Sequence, residues 1–179
     1  MSFRNKKLPI ALITFAVFFL IYFVFFYKWD VKEAIAVYGD ANCPMDQGCL
    51  VDLYKLTPFS WDRAYIFPVG ADKKFIDEAI GMHYQFVDVG VKYIFIKDNH
   101  IVYSEEYFPD LDYRDKNQVL PHFAGSDPKD NAPIYYFLTK ENSQLIIKKY
   151  QSLSRKRNRL YGISPANENQ SEKSNPYKK

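Results

Sequence analysis

The feature that most constrains this chain is an uninterrupted apolar segment near its amino terminus. Residues 8–27 contain no charged side chain, and they follow Arg4, Lys6 and Lys7. At about 1.5 Å per residue, a helix of this length crosses the roughly 30 Å hydrocarbon core of a bilayer. The segment therefore predicts a transmembrane helix that contacts the lipid bilayer and serves as a signal anchor.

A cleaved secretory signal is the alternative to a retained anchor, because it also joins a basic segment to an apolar one. Its apolar region is usually shorter than residues 8–27. The nearest small-x-small pattern, Ala34 to Ala36, lies beyond the charged residues 28–33. We therefore expect the anchor to remain part of the mature chain.

Basic residues on the two sides of the apolar segment predict its orientation. Three of them lie before it, whereas two, Lys28 and Lys32, follow it closely. This excess favours residues 1–7 in the cytoplasm and the remainder of the chain outside. In a bacterium, the pattern predicts a single-pass protein of the inner (cell) membrane with a periplasmic domain.

The chain contains two cysteines, Cys43 and Cys49, with five residues between them. The spacing is not C-x-x-C and no histidine lies nearby, so a disulfide is favoured over a metal or redox pair, with free thiols as the other alternative. A disulfide would independently favour an oxidising compartment. Because the loop is short, the bond would stabilise a local turn and would not hold the whole domain together.

Composition divides the rest of the chain into three segments. Residues 28–42 form a juxtamembrane segment in which apolar residues recur at helical spacing. Residues 43–162 are long enough for one hydrophobic core but not for two. Residues 163–179 have too few apolar side chains to offset the entropy of ordering, which predicts a disordered tail.

Local patterns within residues 43–162 predict several strands and one clear helix. The helix is expected between Asp72, which can cap its first turn, and Gly81, which can end it. Strands are expected at residues 50–56, 61–67, 92–96, 101–107, 134–139 and 144–150. Hairpins are expected across residues 97–100 and 140–143. The predicted class is α+β, an N-terminal transmembrane helix followed by a small antiparallel sheet with one short packed helix.

The long connection after the first expected hairpin holds most of the side chains that could do chemistry. Asp110, Asp112 and Asp115 lie close together in sequence, and His122 follows them. The pattern lacks the glycine and glutamate of an EF-hand, so solvated turn residues are expected, with no metal and no cofactor. The alternative is a membrane-tethered hydrolase in which these groups of the loop 104–127 converge.

A basic stretch closes the expected domain. Its members are Lys148, Lys149, Arg155, Lys156, Arg157 and Arg159. In the cytoplasm such a stretch would suggest nucleic acid as a partner, but in an extracytoplasmic domain we expect no nucleic acid. A solvated surface is the favoured interpretation, and contact with anionic lipid headgroups, envelope polysaccharide or an acidic protein surface is the alternative.

One segment carries a resemblance to a family. Phe59, Trp61, Asp62, Tyr65 and Phe67 form the pattern F-x-W-D-x-x-Y-x-F, and a short charged helix is expected after it. This resembles uncharacterised small bacterial envelope proteins that are membrane-anchored or lipoproteins. The resemblance implies an envelope location and implies no reaction.

These patterns predict binding rather than catalysis. No assembled acid, base or nucleophile is visible in the sequence. Tyrosines concentrate in the expected strands, where they could form a binding face or pack in the core. We therefore expect an accessory module of the bacterial envelope that binds an envelope protein, an immunity-type factor being one version. A lipid-surface module acting through the basic stretch is a further alternative.

Overall fold

A computed structural model of the chain describes residues 29–85, 88, 90–109, 117–123, 134–151, 159–167 and 171–172. The chain divides into two compact units, Met1–Asp30 and Val31–Lys179, and the second contains all the helices and strands with assigned bounds. Residues 8–27, where the transmembrane helix is predicted, lie outside the described residues. In the described ranges, no helix is long and apolar enough to cross a membrane.

The described elements alternate short helices with strands. The helices are α1 (Val31–Asn42), α2 (Leu53–Leu56) and α3 (Lys73–Ile80). The strands are β1 (Gly48–Asp52), β2 (Arg63–Phe67), β3 (Val91–Lys97), β4 (His100–Tyr107), β5 (Asn117–Pro121), β6 (Tyr135–Thr139), β7 (Gln144–Gln151), β8 (Arg159–Pro165) and β9 (Ser171–Glu172).

The strands form two sheets, and this corrects the expected fold class. Sheet A has the order β1-β7-β8-β5, with β5 parallel to β8 and the other neighbours antiparallel. Sheet B has the order β4-β3-β2-β6-β9 and is antiparallel throughout. The described chain is mostly β. The prediction of an α+β fold with one small antiparallel sheet and one packed helix is therefore wrong, because pairing between distant strands builds a second sheet. The transmembrane helix of that prediction falls on residues that the structure does not describe.

Sheet B has its outer face covered by α3. Ile76 and Ile80 of the helix pack against Tyr65, Phe67 and Ile94 of the sheet in one buried cluster. The predicted helix boundaries are confirmed. The Asp72 carboxylate accepts a hydrogen bond from the Phe75 N–H at 2.8 Å, and Gly81 ends the helix in the left-handed conformation, with φ of 72°.

Sheet A has its inner face covered by α1. Gly39 of the helix lies so close to Tyr161 that an added Cβ would come within 2.8 Å of the ring, so only glycine fits here. The Lys149 ammonium donates to the Gly39 carbonyl at 3.3 Å at the end of the helix, where a positive charge is favourable. Asp40 lies 3.0 Å from Arg159 Nε and 3.6 Å from Lys149 Nζ. These contacts fix α1 to β7 and β8.

Tyrosine and glutamate side chains connect sheet B to α1 and sheet A. Glu105 of β4 accepts a hydrogen bond from the Val31 N–H at 2.5 Å, and a carboxylate stabilises a helix amino terminus. The Tyr136 hydroxyl of β6 donates to the Ile163 carbonyl of β8 at 3.0 Å. The inner faces of the sheets and α1 thus share one interior.

Of the two predicted hairpins, the first is present. β3 and β4 pair through a turn in which Asp98 and Asn99 have positive φ angles of 47° and 62°. The second prediction is wrong, because β6 belongs to sheet B and β7 to sheet A. The turn between them makes hydrogen bonds with earlier segments of the chain. The Lys140 N–H donates to the Asp62 carbonyl, and the Ser143 carbonyl accepts from the Leu53 N–H.

Element boundaries also differ from the sequence analysis, most clearly at two places. The strand expected at residues 50–56 ends at Asp52, because the Asp52 carboxylate caps α2 by accepting from the Tyr54 N–H at 3.1 Å. At the other end, β8 continues past Gly162 to Pro165, and Ser171–Glu172 pair with β6.

The predicted disulfide between Cys43 and Cys49 is present and ties the end of α1 to β1. Replacing both cysteines with serine should lower the free energy of unfolding by about 2–2.5 kcal/mol, since the closed loop is short. Urea unfolding of the oxidised chain and the double variant measures the difference. Equal stability of the two would show that the bond adds no net stability.

Candidate binding surface on the four-stranded sheet

The outer face of sheet A, opposite α1, carries side chains that alternate with the buried ones. Along β7, Leu145, Ile147 and Lys149 point inward and are buried, whereas the intervening residues are half-buried. The same alternation continues on β8, where Tyr161 and Ile163 are buried. Because successive strand residues point to opposite faces, the remaining side chains form one outward surface.

Each of the four strands contributes an aliphatic side chain to this outward surface. They are Leu50 of β1, Ile146 of β7, Leu160 of β8 and Leu120 of β5. Leu50 is 56% exposed, and the other three are partly exposed. An exposed sheet face usually carries polar side chains, so an apolar one indicates an interaction surface.

The middle of this surface has a glycine on each side of Lys148, and the side chains of Ile146 and Tyr150 lie close to these glycines. The pairing register places Gly48 and Gly162 on the strands flanking Lys148. A depression on this face, here called the sheet A groove, has a volume of about 490 Å³ over β5, β7 and β8. This volume falls within the range of ligand-binding sites.

Charge in the sheet A groove comes from one lysine. The Lys148 ammonium lies 5.1 Å from the centre of the Tyr150 ring, a cation–π distance. Tyr150 in turn lies over Gly162, where an added Cβ would be 3.2 Å from the ring. His122 and Ser164 are the other polar side chains of the lining, and no carboxylate belongs to its described residues.

The basic stretch therefore does not act as one surface. Lys148 and Lys149 are adjacent in β7 and point to opposite faces of sheet A. Lys148 faces the groove, whereas Lys149 is buried and binds the end of α1. Arg159 is paired with Asp40. Arg155, Lys156 and Arg157 lie outside the described residues.

Comparisons with protein families, curated proteins and solved structures gave no match. The resemblance to envelope proteins thus stays a prediction from the sequence pattern.

The five residues of that pattern occupy mainly packing positions. Trp61, Tyr65 and Phe67 are buried, and Phe59 lies against Phe95 with ring centres 5.4 Å apart. Asp62 is the exposed member, and its carboxylate accepts from the Asp98 N–H at 2.9 Å. These residues therefore stabilise sheet B and the turn between β3 and β4.

Of the four candidate residues in the long loop, His122 alone lies within the described residues. Asp110, Asp112 and Asp115 lie outside the described residues. His122 is exposed at the rim of the sheet A groove, and its backbone N–H donates to the Ile163 carbonyl at 3.0 Å. Within the described ranges, no three His, Cys, Asp or Glu residues are grouped as a metal site requires.

Proposed function

We propose that this chain is a non-catalytic binding module of the bacterial envelope that acts outside the cytoplasm. In this proposal the sheet A groove binds a protein of the envelope, and residues 8–27 associate with the bilayer. The observation that carries the proposal is the groove itself, which lies on an outward sheet face to which every strand contributes an aliphatic side chain.

Two further features support the extracytoplasmic location. The disulfide between Cys43 and Cys49 is of a kind that persists in oxidising compartments. The apolar residues 8–27 and the basic residues before them favour a membrane-attached chain with its folded unit outside. Together they support a partner in the same compartment.

Site-specific photo-crosslinking in intact cells tests this proposal. A benzophenone amino acid at Ser164, beside the groove, should give a discrete protein adduct, because a bound partner covers this position. The same amino acid at Glu78, on the outward side of α3, is the control and should give none. Protease that reaches only the extracytoplasmic space should degrade the Ser164 adduct and spare a cytoplasmic marker.

Two outcomes would count against the proposal. Equal labelling at Ser164 and Glu78 would remove the groove as a specific binding surface. An adduct that resists external protease until the inner membrane is opened would remove the extracytoplasmic location.

A further inference from the structure

The two sheets of this protein differ in what covers their outer faces. On sheet B, the eight-residue helix α3 places Ile76 and Ile80 against the strands and keeps Lys74 and Glu78 in solvent. On sheet A, no described helix covers the groove. The apolar side chains of Ile146, Leu160 and Leu120 are consequently left partly exposed.

We propose that the sheet A groove receives an amphipathic helix of an envelope protein, with a carboxylate of that helix placed against Lys148. This inference rests on the proposed function and specifies its partner. The partner helix would take the position on sheet A that α3 takes on sheet B.

The dimensions of the groove suit a helix of this kind. Strands are about 4.8 Å apart, so the four strands of sheet A span roughly 14 Å between the outermost axes. A helix of about ten residues is roughly 15 Å long. Its apolar stripe at positions i, i+3, i+4 and i+7 could contact the aliphatic side chains of all four strands.

Charge in the groove favours an acidic partner. An apolar helix alone would remove Lys148 from water without pairing its ammonium, which is unfavourable. A carboxylate on the helix would compensate that loss with a charge-assisted hydrogen bond. The described lining contains a lysine and no Asp or Glu, and the proposal assigns the complementary charge to the partner.

The same charge argues against two other occupants. A second copy docked face to face would bring Lys148 toward the partner's identical ammonium, with no carboxylate from either groove. A membrane surface fits a protruding apolar face, whereas this face carries a depression over β5, β7 and β8. A helix from a different protein fits both the shape and the charge.

Charge reversal in the crosslinking experiment tests this inference. With the photoreactive residue at Ser164 of the full chain in cells, Lys148→Glu should reduce adduct yield at least about tenfold, because like charges would then meet. Lys140→Glu is the matched control. Lys140 makes the equivalent cation–π contact with Tyr54, at 5.2 Å, away from the groove, and its reversal should leave the yield unchanged.

Two additional readouts make the result specific. Lys148→Met, which keeps the aliphatic stem and removes the charge, should give an intermediate yield. The crosslinked peptide should contain an Asp or Glu and apolar residues at helical spacing. Thermal unfolding of the Lys148 variants should match that of the original chain, which shows that a lost adduct reflects lost binding.

The outcomes separate this inference from the proposed function. A Ser164 adduct that persists in Lys148→Glu, or that maps to a peptide without an acidic residue, overturns the acidic helix and leaves the groove as a binding surface. An adduct with a second copy of this chain, with lipid or with polysaccharide also overturns the acidic helix. The absence of any groove-specific adduct overturns both.

Discussion

Replacing Glu106 with alanine is expected to destabilise the folded unit by about 3–5 kcal/mol, because it removes the carboxylate that pairs with a buried positive charge. Lys92 of β3 is 0% exposed, and its ammonium lies 3.2 Å from the Glu106 carboxylate of β4. The same ammonium donates to the Gly90 carbonyl at 3.1 Å. Burial lowers the pKa of Lys92, and Glu106 opposes this shift. Removing Glu106 therefore removes the main group that stabilises the charged lysine.

Glu106 has a second role, which adds to the expected effect. Its carboxylate accepts hydrogen bonds from the N–H groups of Gly90, at 2.8 Å, and Asp88, at 3.2 Å. These bonds hold the chain that enters β3. Alanine cannot accept them, so this entry would lose its attachment to β4 together with the ion pair.

Urea unfolding of the single and double variants measures these effects. Lys92→Met combined with Glu106→Leu should recover the part of the lost stability that comes from the buried charge, since an apolar pair can replace a buried ion pair. Leucine, like alanine, cannot accept the bonds from Gly90 and Asp88, so that part of the loss should remain. Glu78→Ala, which removes an exposed carboxylate of α3, is the control and should change stability by less than about 0.5 kcal/mol. A loss below about 1 kcal/mol in Glu106→Ala would contradict the burial argument.

The sequence predicts those parts of the fold that depend on short-range chemistry. Asp72 begins α3 and Gly81 ends it as expected, because each capping residue bonds to backbone groups only a few residues away in the chain. The turn at Asp98 and Asn99 joins β3 and β4 because these residue types tolerate positive φ. In both cases the group and its partner lie in the same local segment.

Strand pairing is predicted less well because it depends on distant segments. β6 and β7 look like a hairpin, yet β6 pairs with β2 and β7 with β1 and β8. Their connecting turn is held by groups near Leu53 and Asp62, far away in the sequence. Nothing in residues 134–150 alone indicates these partners.

The groove is hidden in the sequence for a related reason. In β7, the adjacent pairs Ile146-Ile147 and Lys148-Lys149 contain the same residue type on both faces of the sheet. Period-two alternation is therefore absent, and the outward face cannot be read from it. Gly162 within β8 is the one available signal, since a glycine inside a strand often marks a close approach.

Replacing Trp61 with alanine is expected to destabilise the folded unit by about 3–5 kcal/mol, because a large buried side chain would leave a cavity. Trp61 is 1% exposed, and its ring centre lies 5.5 Å from that of Phe95 and 5.3 Å from that of Tyr54. Its indole N–H donates to the Thr57 hydroxyl at 3.0 Å, which fixes the segment between α2 and β2.

The neighbouring residue of the sequence pattern provides the control for Trp61. Asp62→Asn keeps an oxygen that can accept from the Asp98 N–H, so it should change stability by less than about 0.5 kcal/mol. Circular dichroism during urea unfolding compares the two variants without relying on tryptophan fluorescence. A stable Trp61→Ala variant that loses the Ser164 adduct would instead assign Trp61 to binding. An unstable Trp61→Ala variant supports a packing role, and such a role explains the aromatic pattern without assigning it to a catalysed reaction.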